Sequence, residues 1–180
     1  DVKNNVLIYD KDGRLLDHWG TDYPGAHGLS LVTENGTDYL WLTDHDRHEV
    51  YKTTLDGEVL QKMGPPKRYK KAANYKPTKV VPAPTGDLFV LDGYGQSYVI
   101  QYDAKGREKR VFGGEGDQPK HLDTPHGGII DHRGDTPTLL IASRGQHKLK
   151  RFSLEGDYLA SIPMPGARVC DIAEIGRAHV

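Results

Sequence analysis

Two histidines stand in matched settings, Ala26-His27-Gly28 and Pro125-His126-Gly127, 99 positions apart. Neutral imidazole is a common ligand for transition metals, and three converging imidazoles with an open coordination position make a catalytic type of zinc site. If a repeating fold places them equivalently, His27 and His126 supply two members of such a set. In the other reading each satisfies a loop carbonyl. His45 and His48, in TDHDRHEV, have a suggestive spacing. They follow an apolar strand and not a helix turn, so i,i+3 proximity does not arise. His18, His121, His132 and His147 read as surface residues.

A repeat is what would set the two histidines in register. Four segments share one pattern: NVLIYDKDGRLLDHWG, HEVYKTTLDGEVLQKMG, YVIQYDAKGREKRVFGG and KLKRFSLEGDYLASIPMPG. Each has an alternating apolar strand, a turn with Gly, a second strand and a closing Gly. The turn glycines Gly13, Gly57, Gly106 and Gly156 are 44, 49 and 50 residues apart. Asp-Gly at 12–13 and 56–57 is the signal for a tight hairpin whose two central residues both take positive φ. The last three segments are preceded by YLWLTD (39–44), DLFVLD (87–92) and TLLIAS (138–143). Before these come LSLVTENG, KVVPAPTG and GGIIDHRG, each ending in a polar turn. Four strands per unit at a period just under fifty is the pattern of a β-propeller blade. Leucine-rich repeats are shorter, and helix-pair solenoids need a 3.6-residue periodicity that is absent.

In a propeller the first strand of each blade lines the central channel. The entry positions read Ala26-His27-Gly28, Pro77-Thr78-Lys79, Pro125-His126-Gly127 and Val169-Cys170-Asp171. His27 and His126 are then equivalent residues two blades apart. In a six-bladed ring that is a rotation of about 120°, and a third histidine at about position 225 would complete the set.

Composition agrees with an all-β fold. Hydrophobic residues are 36%, with 21 glycines and 11 prolines, which suits short strands joined by turns. Lys+Arg 24 against Asp+Glu 25 gives a net charge of -1, so nucleic acid is not an expected partner. The single cysteine, Cys170, excludes an intramolecular disulfide framework and a cysteine-rich zinc cluster. No apolar run approaches the roughly 20 residues of a membrane span. Oligomeric state has no sequence signature here.

The expected organisation is a partial propeller over residues 1–173. Residues 1–20 are the outer half of a blade, 21–64, 65–114 and 115–166 are three blades, and 167–173 begin the next. That is about three and a half blades, read as cut at both ends, with open sheet edges and low solubility expected of such a piece alone. The stretch PPKRYKKAANYKP (65–77) reads as a solvated, basic loop between blades, with a substrate-steering flap as the other reading. Glu174 to Val180 fits no blade and reads as a non-native tail.

The strand order resembles NHL repeats, and at the histidines the chain resembles peptidyl-α-hydroxyglycine α-amidating lyase. The matching stretches are HGLSLVTENGTDYLWLTDHDRHEVYKTTLDGEVL, KPTKVVPAPTGDLFVLDGYGQSYVIQYDAKGR and TPHGGIIDHRGDTPTLLIASRGQHKLKRFSLEG. The resemblance implies a six-bladed propeller with zinc on three histidines and a structural calcium in the channel. His27 and His126 match two zinc ligands, and the backbone carbonyl of Leu29 matches a calcium ligand. Tyr94 matches the active-site tyrosine and Arg144 an arginine that faces the substrate. The family usually has Cys where this chain has Gly95, which implies loss of a disulfide, and Asp where it has Ser143. The resemblance further implies a secreted or periplasmic setting.

The implied chemistry cleaves peptidyl-α-hydroxyglycine to a peptide amide and glyoxylate. Zinc would lower the pKa of the substrate hydroxyl. Tyr94, with an ordinary pKa near 10, would take its proton if zinc and a cationic neighbour depress it. Arg144 would pair with the substrate carboxylate. A non-catalytic NHL propeller binding a peptide, glycan or protein stands beside this reading, as does a hydrolase or lactonase on the same scaffold, since fold does not fix function.

Overall fold

The computed structural model describes residues 4–166 and 168–174. The tail that the sequence sets apart lies, beyond Glu174, outside the described residues. Strands β1 (Val6–Tyr9) and β2 (Leu15–Trp19) form a two-stranded sheet. Three four-stranded sheets follow. The first holds β3 (Ala26–Glu34), β4 (Thr37–Asp44), β5 (Glu49–Thr53) and β6 (Val59–Met63). The second holds β7 (Lys79–Pro82), β8 (Leu88–Leu91), β9 (Tyr98–Tyr102) and β10 (Glu108–Gly113). The third holds β11 (Pro125–Asp131), β12 (Thr138–Ser143), β13 (Lys148–Phe152) and β14 (Tyr158–Pro163). Every pairing is antiparallel and every sheet runs in chain order, which is blade topology. Two short 3-10 turns, Ala72–Asn74 and Arg144–Gln146, are the helical elements among the described residues.

The blades stand side by side, with β3 against β7 and β7 against β11. Their facing sides make two cores. Trp41, Val50, Val80, Val90 and Ile100 pack between the first and second complete blades. Val81, Phe89, Leu91, Ile141 and Phe152 pack between the second and third. The middle blade is thus covered on both faces, which is why all four residues of β8 are buried and its sequence, LFVL, does not alternate. On the two-stranded sheet Leu7, Tyr9, Leu15 and Leu16 are exposed. Among the described residues the sheets form an open arc.

The hairpins between third and fourth strands differ from the sequence expectation. Of the central residues only glycine takes positive φ, with Gly13 at 82° and Gly57 at 94°, while Asp12 and Asp56 do not. In each case the glycine N–H returns to a carbonyl three residues back, as Gly13 to Asp10 and Gly57 to Thr54. The turn is a three-residue loop ending in a left-handed glycine, with a bulge in the following strand. The hairpin glycines also join blades. A Cβ on Gly57 would strike Trp19, one on Gly106 would strike Gln61 and crowd Met63, and one on Gly156 would strike Phe112. In each pair a large side chain closing one blade lies on the hairpin of the next.

The insertion at 65–77 is solvated over 67–68 and 70–74 but anchored by its tyrosines. Tyr69 is 8% exposed and Tyr75 is 0% exposed, and both join the core between the first two complete blades. Their rings meet edge-on, with centroids 5.3 Å apart.

Candidate functional site

Each inner strand opens with a side chain that reaches the next blade. His27 Nδ1 lies 2.9 Å from the carbonyl of Thr78. The Thr78 hydroxyl donates to the carbonyl of Pro125 at 2.8 Å. His126 Nδ1 lies 2.8 Å from the carbonyl of Cys170. Local sequence explains why the histidines can do this. The β3–β4 register slips between Ala26 and Leu29, and the β11–β12 register slips between Pro125 and Gly127. Bulges of this kind re-aim a side chain. The glycine after each histidine is equally required, because a Cβ on Gly28 would lie 2.2 Å from the Thr78 carbonyl and one on Gly127 2.6 Å from that of Cys170.

These bonds settle the histidine tautomers. A backbone carbonyl can only accept, so each Nδ1 carries a proton, and in the neutral ring each Nε2 presents a lone pair. The two lone pairs converge. Tyr94 Oη is 2.8 Å from His126 Nε2 and 3.1 Å from His27 Nε2. The imidazole centroids are 4.6 Å apart, and the Tyr94 ring stands edge-on to both. The phenol has one proton to give to two acceptors, so the cluster has one acceptor too many for neutral groups alone. A cation fits this excess. A proton is a poor choice at His27, since burial pushes its pKa down. The Thr78 hydrogen bond opposes that shift, and His126, His45 and Arg144 add to it. A Lewis-acid metal on the two Nε2 atoms suits the donor set, with Nδ1–H held by a carbonyl as is usual for metal-bound histidine. Among the described residues no group of three or more His, Cys, Asp or Glu is placed to hold a metal ion. The third ligand that the sequence reading puts at about position 225 lies beyond this chain.

Tyr94 is positioned by a buried corner. Asp92, 0% exposed, follows β8 and accepts from every side. Its Oδ1 takes the Lys76 N–H at 2.7 Å, and its Oδ2 takes the Gln96 N–H at 2.7 Å and the Tyr69 hydroxyl at 2.5 Å. Burial pushes the Asp92 carboxyl up, while these three donors pull it back. Burial together with the adjacent Asp92 carboxylate pushes the Tyr69 phenol up as well, so it stays a donor. The Tyr94 N–H in turn donates to the carbonyl of Lys76. The insertion therefore holds the backbone of the candidate catalytic tyrosine. Gly95 belongs to the same corner, because a Cβ there would lie 2.0 Å from Asp92 Oδ1 and 2.4 Å from the Asn74 carbonyl.

Arg144 opens the 3-10 turn after β12. Its Nε is buried with no hydrogen-bond partner, and it forms no ion pair among the described residues. Leu29 lies on β3 with its side chain 43% exposed. Its carbonyl, the implied calcium ligand, accepts from Lys79 Nζ at 3.2 Å. An ammonium thus stands where a calcium ion would need that oxygen, and the described residues do not fit calcium there.

One member of the cluster was missed by the sequence reading. The His45 ring lies 6.0 Å from His27 and 5.6 Å from Tyr94 between centroids, with its Nδ1 3.0 Å from Asp46 Oδ1. A signal did exist. His45 follows strand-end Asp44 as Gly93-Tyr94 follows Asp92 and Arg144 follows Ser143, so all three belong to one mouth. His48 turns elsewhere, with Nδ1 2.7 Å from the Tyr75 carbonyl.

Blade topology, inner-strand histidines and channel mouth define a β-propeller of NHL type. The chain resembles the peptidyl-alpha-hydroxyglycine alpha-amidating lyases. It is 29% identical over 188 residues to a probable peptidyl-alpha-hydroxyglycine alpha-amidating lyase of Caenorhabditis elegans, covering 97% of this chain and 51% of that protein. It is 28% identical over 117 residues to peptidyl-alpha-hydroxyglycine alpha-amidating lyase 2 of Drosophila melanogaster, covering 61% and 28%. Mouse NHL repeat-containing protein 3 is 23% identical over 167 residues, covering 87% and 47%. The chain thus spans about half, or less, of the length of these relatives. No family model matches it. Among solved structures, a streptogramin B lyase superposes with a TM-score of 0.62 at 16% identity, covering 90% of this chain and 48% of that one. The virginiamycin B lyase of Staphylococcus aureus gives 0.62 at 16%, covering 92% and 52%. At that identity the likeness is one of fold. No helix among the described residues is long and apolar enough to cross a membrane.

Proposed function

We propose that this chain carries part of a metal-dependent lyase site of the amidating kind, which splits a peptidyl-α-hydroxyglycine into a peptide amide and glyoxylate. The convergence of two Nε2 lone pairs on the Tyr94 hydroxyl carries the proposal, and the named relatives supply the substrate class. A zinc ion held by His27 and His126 would supply Lewis acidity toward the substrate hydroxyl. The chain's own groups have distinct tasks. Tyr94 moves a proton: with the two Nε2 lone pairs taken up by the ion, its hydroxyl, 2.8 and 3.1 Å from those nitrogens, would accept the proton of the substrate hydroxyl as it passes its own to the leaving amide nitrogen. Loss of that proton lets the carbon–oxygen double bond of glyoxylate form as the carbon–nitrogen bond breaks, and the leaving amide nitrogen takes up a proton. Arg144, with its unpartnered buried Nε, binds the substrate carboxylate.

The test is product formation by the protein carrying this chain. An α-hydroxyglycine-extended peptide should yield peptide amide and glyoxylate in equal amounts. Tyr94→Phe should lower kcat by roughly 100-fold or more, and Arg144→Ala should act mainly on KM. A wild-type protein that binds the peptide but releases no glyoxylate would replace this reading with a peptide-binding NHL propeller.

A further inference from the structure

The same channel holds a cation that the chain provides itself. Lys79 is the first residue of β7, on the inner strand of the middle blade. Its Nζ donates to the Leu29 carbonyl on β3 at 3.2 Å and to Asp171 Oδ2 at 3.0 Å. The Lys79 side chain is 16% exposed and Asp171 is 57% exposed, so the ammonium is drawn out of water while its carboxylate partner keeps a solvated side. The three residues line one cavity of about 300 Å³ together with His27 and His126. One ammonium therefore ties the first complete blade to the second, and both to the segment that follows the third.

A calcium ion at this place would need about six to eight oxygens at about 2.3–2.6 Å. The described residues offer one carbonyl and one carboxylate, both already engaged by the ammonium. A divalent ion beside the ammonium would also meet like charge at close range. We infer that Lys79 is the built-in structural cation of this channel. It takes the place of the calcium ion that the resemblance implies at Leu29, so the propeller is calcium-independent. The inference concerns the scaffold and does not rest on the lyase reading.

The experiment is thermal melting and calcium content of the protein carrying this chain, as purified, with calcium either removed or added to about 1 mM, where weak sites fill. Zinc content is measured in parallel, so a protein without zinc tests the lyase reading and leaves the calcium comparison intact. The wild type should melt at the same temperature in both conditions and retain no calcium. Lys79→Met should melt about 2–4 °C lower, and Lys79→Arg, which keeps the charge, should stay close to wild type. Lys79→Asp should gain a calcium-dependent rise in melting temperature by mass action, since it adds a carboxylate beside Leu29 and Asp171. Bound calcium in the wild type, or a melting temperature that rises with calcium, would overturn the inference. So would a Lys79→Met protein as stable as wild type.

Discussion

The corners that carry Tyr94 and Arg144 stand at equivalent places in adjacent blades, yet they are closed by different chemistry. After β8 the corner residue is Asp92, whose two oxygens accept from the Lys76 N–H, the Gln96 N–H and the Tyr69 hydroxyl. After β12 it is Ser143, whose single hydroxyl accepts the Asp123 N–H and faces Gln146 Oε1 and the Asp123 carbonyl. Asp44, after β4, is intermediate. Its Oδ1 accepts the N–H groups of Gly25, Asp46 and Arg47, while its buried Oδ2 has no partner. The carboxylate that uses both oxygens fixes a tyrosine and an inserted segment. The hydroxyl leaves an arginine with a free buried Nε. One corner thus holds the Tyr94 backbone through both carboxylate oxygens, while the other leaves a buried Arg144 Nε without a partner.

The comparison predicts a graded series. Asp92→Ala should cost about 2–3 kcal/mol, since it strands one buried and two part-buried donors at once. Denaturant melts should show this, and the Tyr94 loop should lose protection from hydrogen exchange. Asp92→Asn should cost about 2 kcal/mol, because an amide cannot accept from donors on both sides. Asp44→Asn should cost about 1 kcal/mol or less, because only Oδ1 is used as an acceptor there. If the two asparagine variants cost the same, the distinction between the corners fails. Tyr69→Phe should cost about 1 kcal/mol and loosen the insertion without touching the histidines. Ser143→Asp should lower stability slightly, by about 0.5–1 kcal/mol, because a carboxylate there would face a carbonyl and an amide oxygen.

A pH dependence sharpens the same contrast. Burial raises the Asp92 carboxyl in the folded protein above its unfolded value of about 3.9. The folded state then holds that proton more tightly. The resulting stabilisation is fully present below about pH 4 and is lost as pH rises through the folded pKa. Asp131 has the opposite sign. Its hydrogen bonds to Arg133 and the charge of Arg151 hold the carboxyl well below the usual range. Its contribution is present above about pH 4 and is lost as pH falls further. Comparing stability between pH 3 and 7 for Asp92→Asn and Asp131→Asn should give slopes that change in opposite directions.

The propeller itself was legible because strand alternation and hairpin glycines recur at a nearly constant period, and the paired histidines follow from that register. Other features depend on contacts between blades that no local pattern announces. The bulges at His27 and His126 show only as His-Gly, and their purpose appears once the carbonyls of Thr78 and Cys170 are in place. The segment 65–77 looks solvated because its lysines dominate its composition, while Tyr69 and Tyr75 decide its packing. Lys79 reads as one more entry residue until its ammonium meets Leu29 and Asp171 on other parts of the chain. His45 was set aside for lacking a helix, although the turn after Asp44 brings it to the same mouth.

The central claim is that the two Nε2 lone pairs are a metal site. Its most direct test is zinc content by elemental analysis of the purified protein carrying this chain, alongside His27→Ala, His126→Ala and the double variant. This account predicts zinc in the wild type in equal number with the protein, a weakened hold in each single variant and none in the double. Zinc retained at full stoichiometry in the double variant would contradict it.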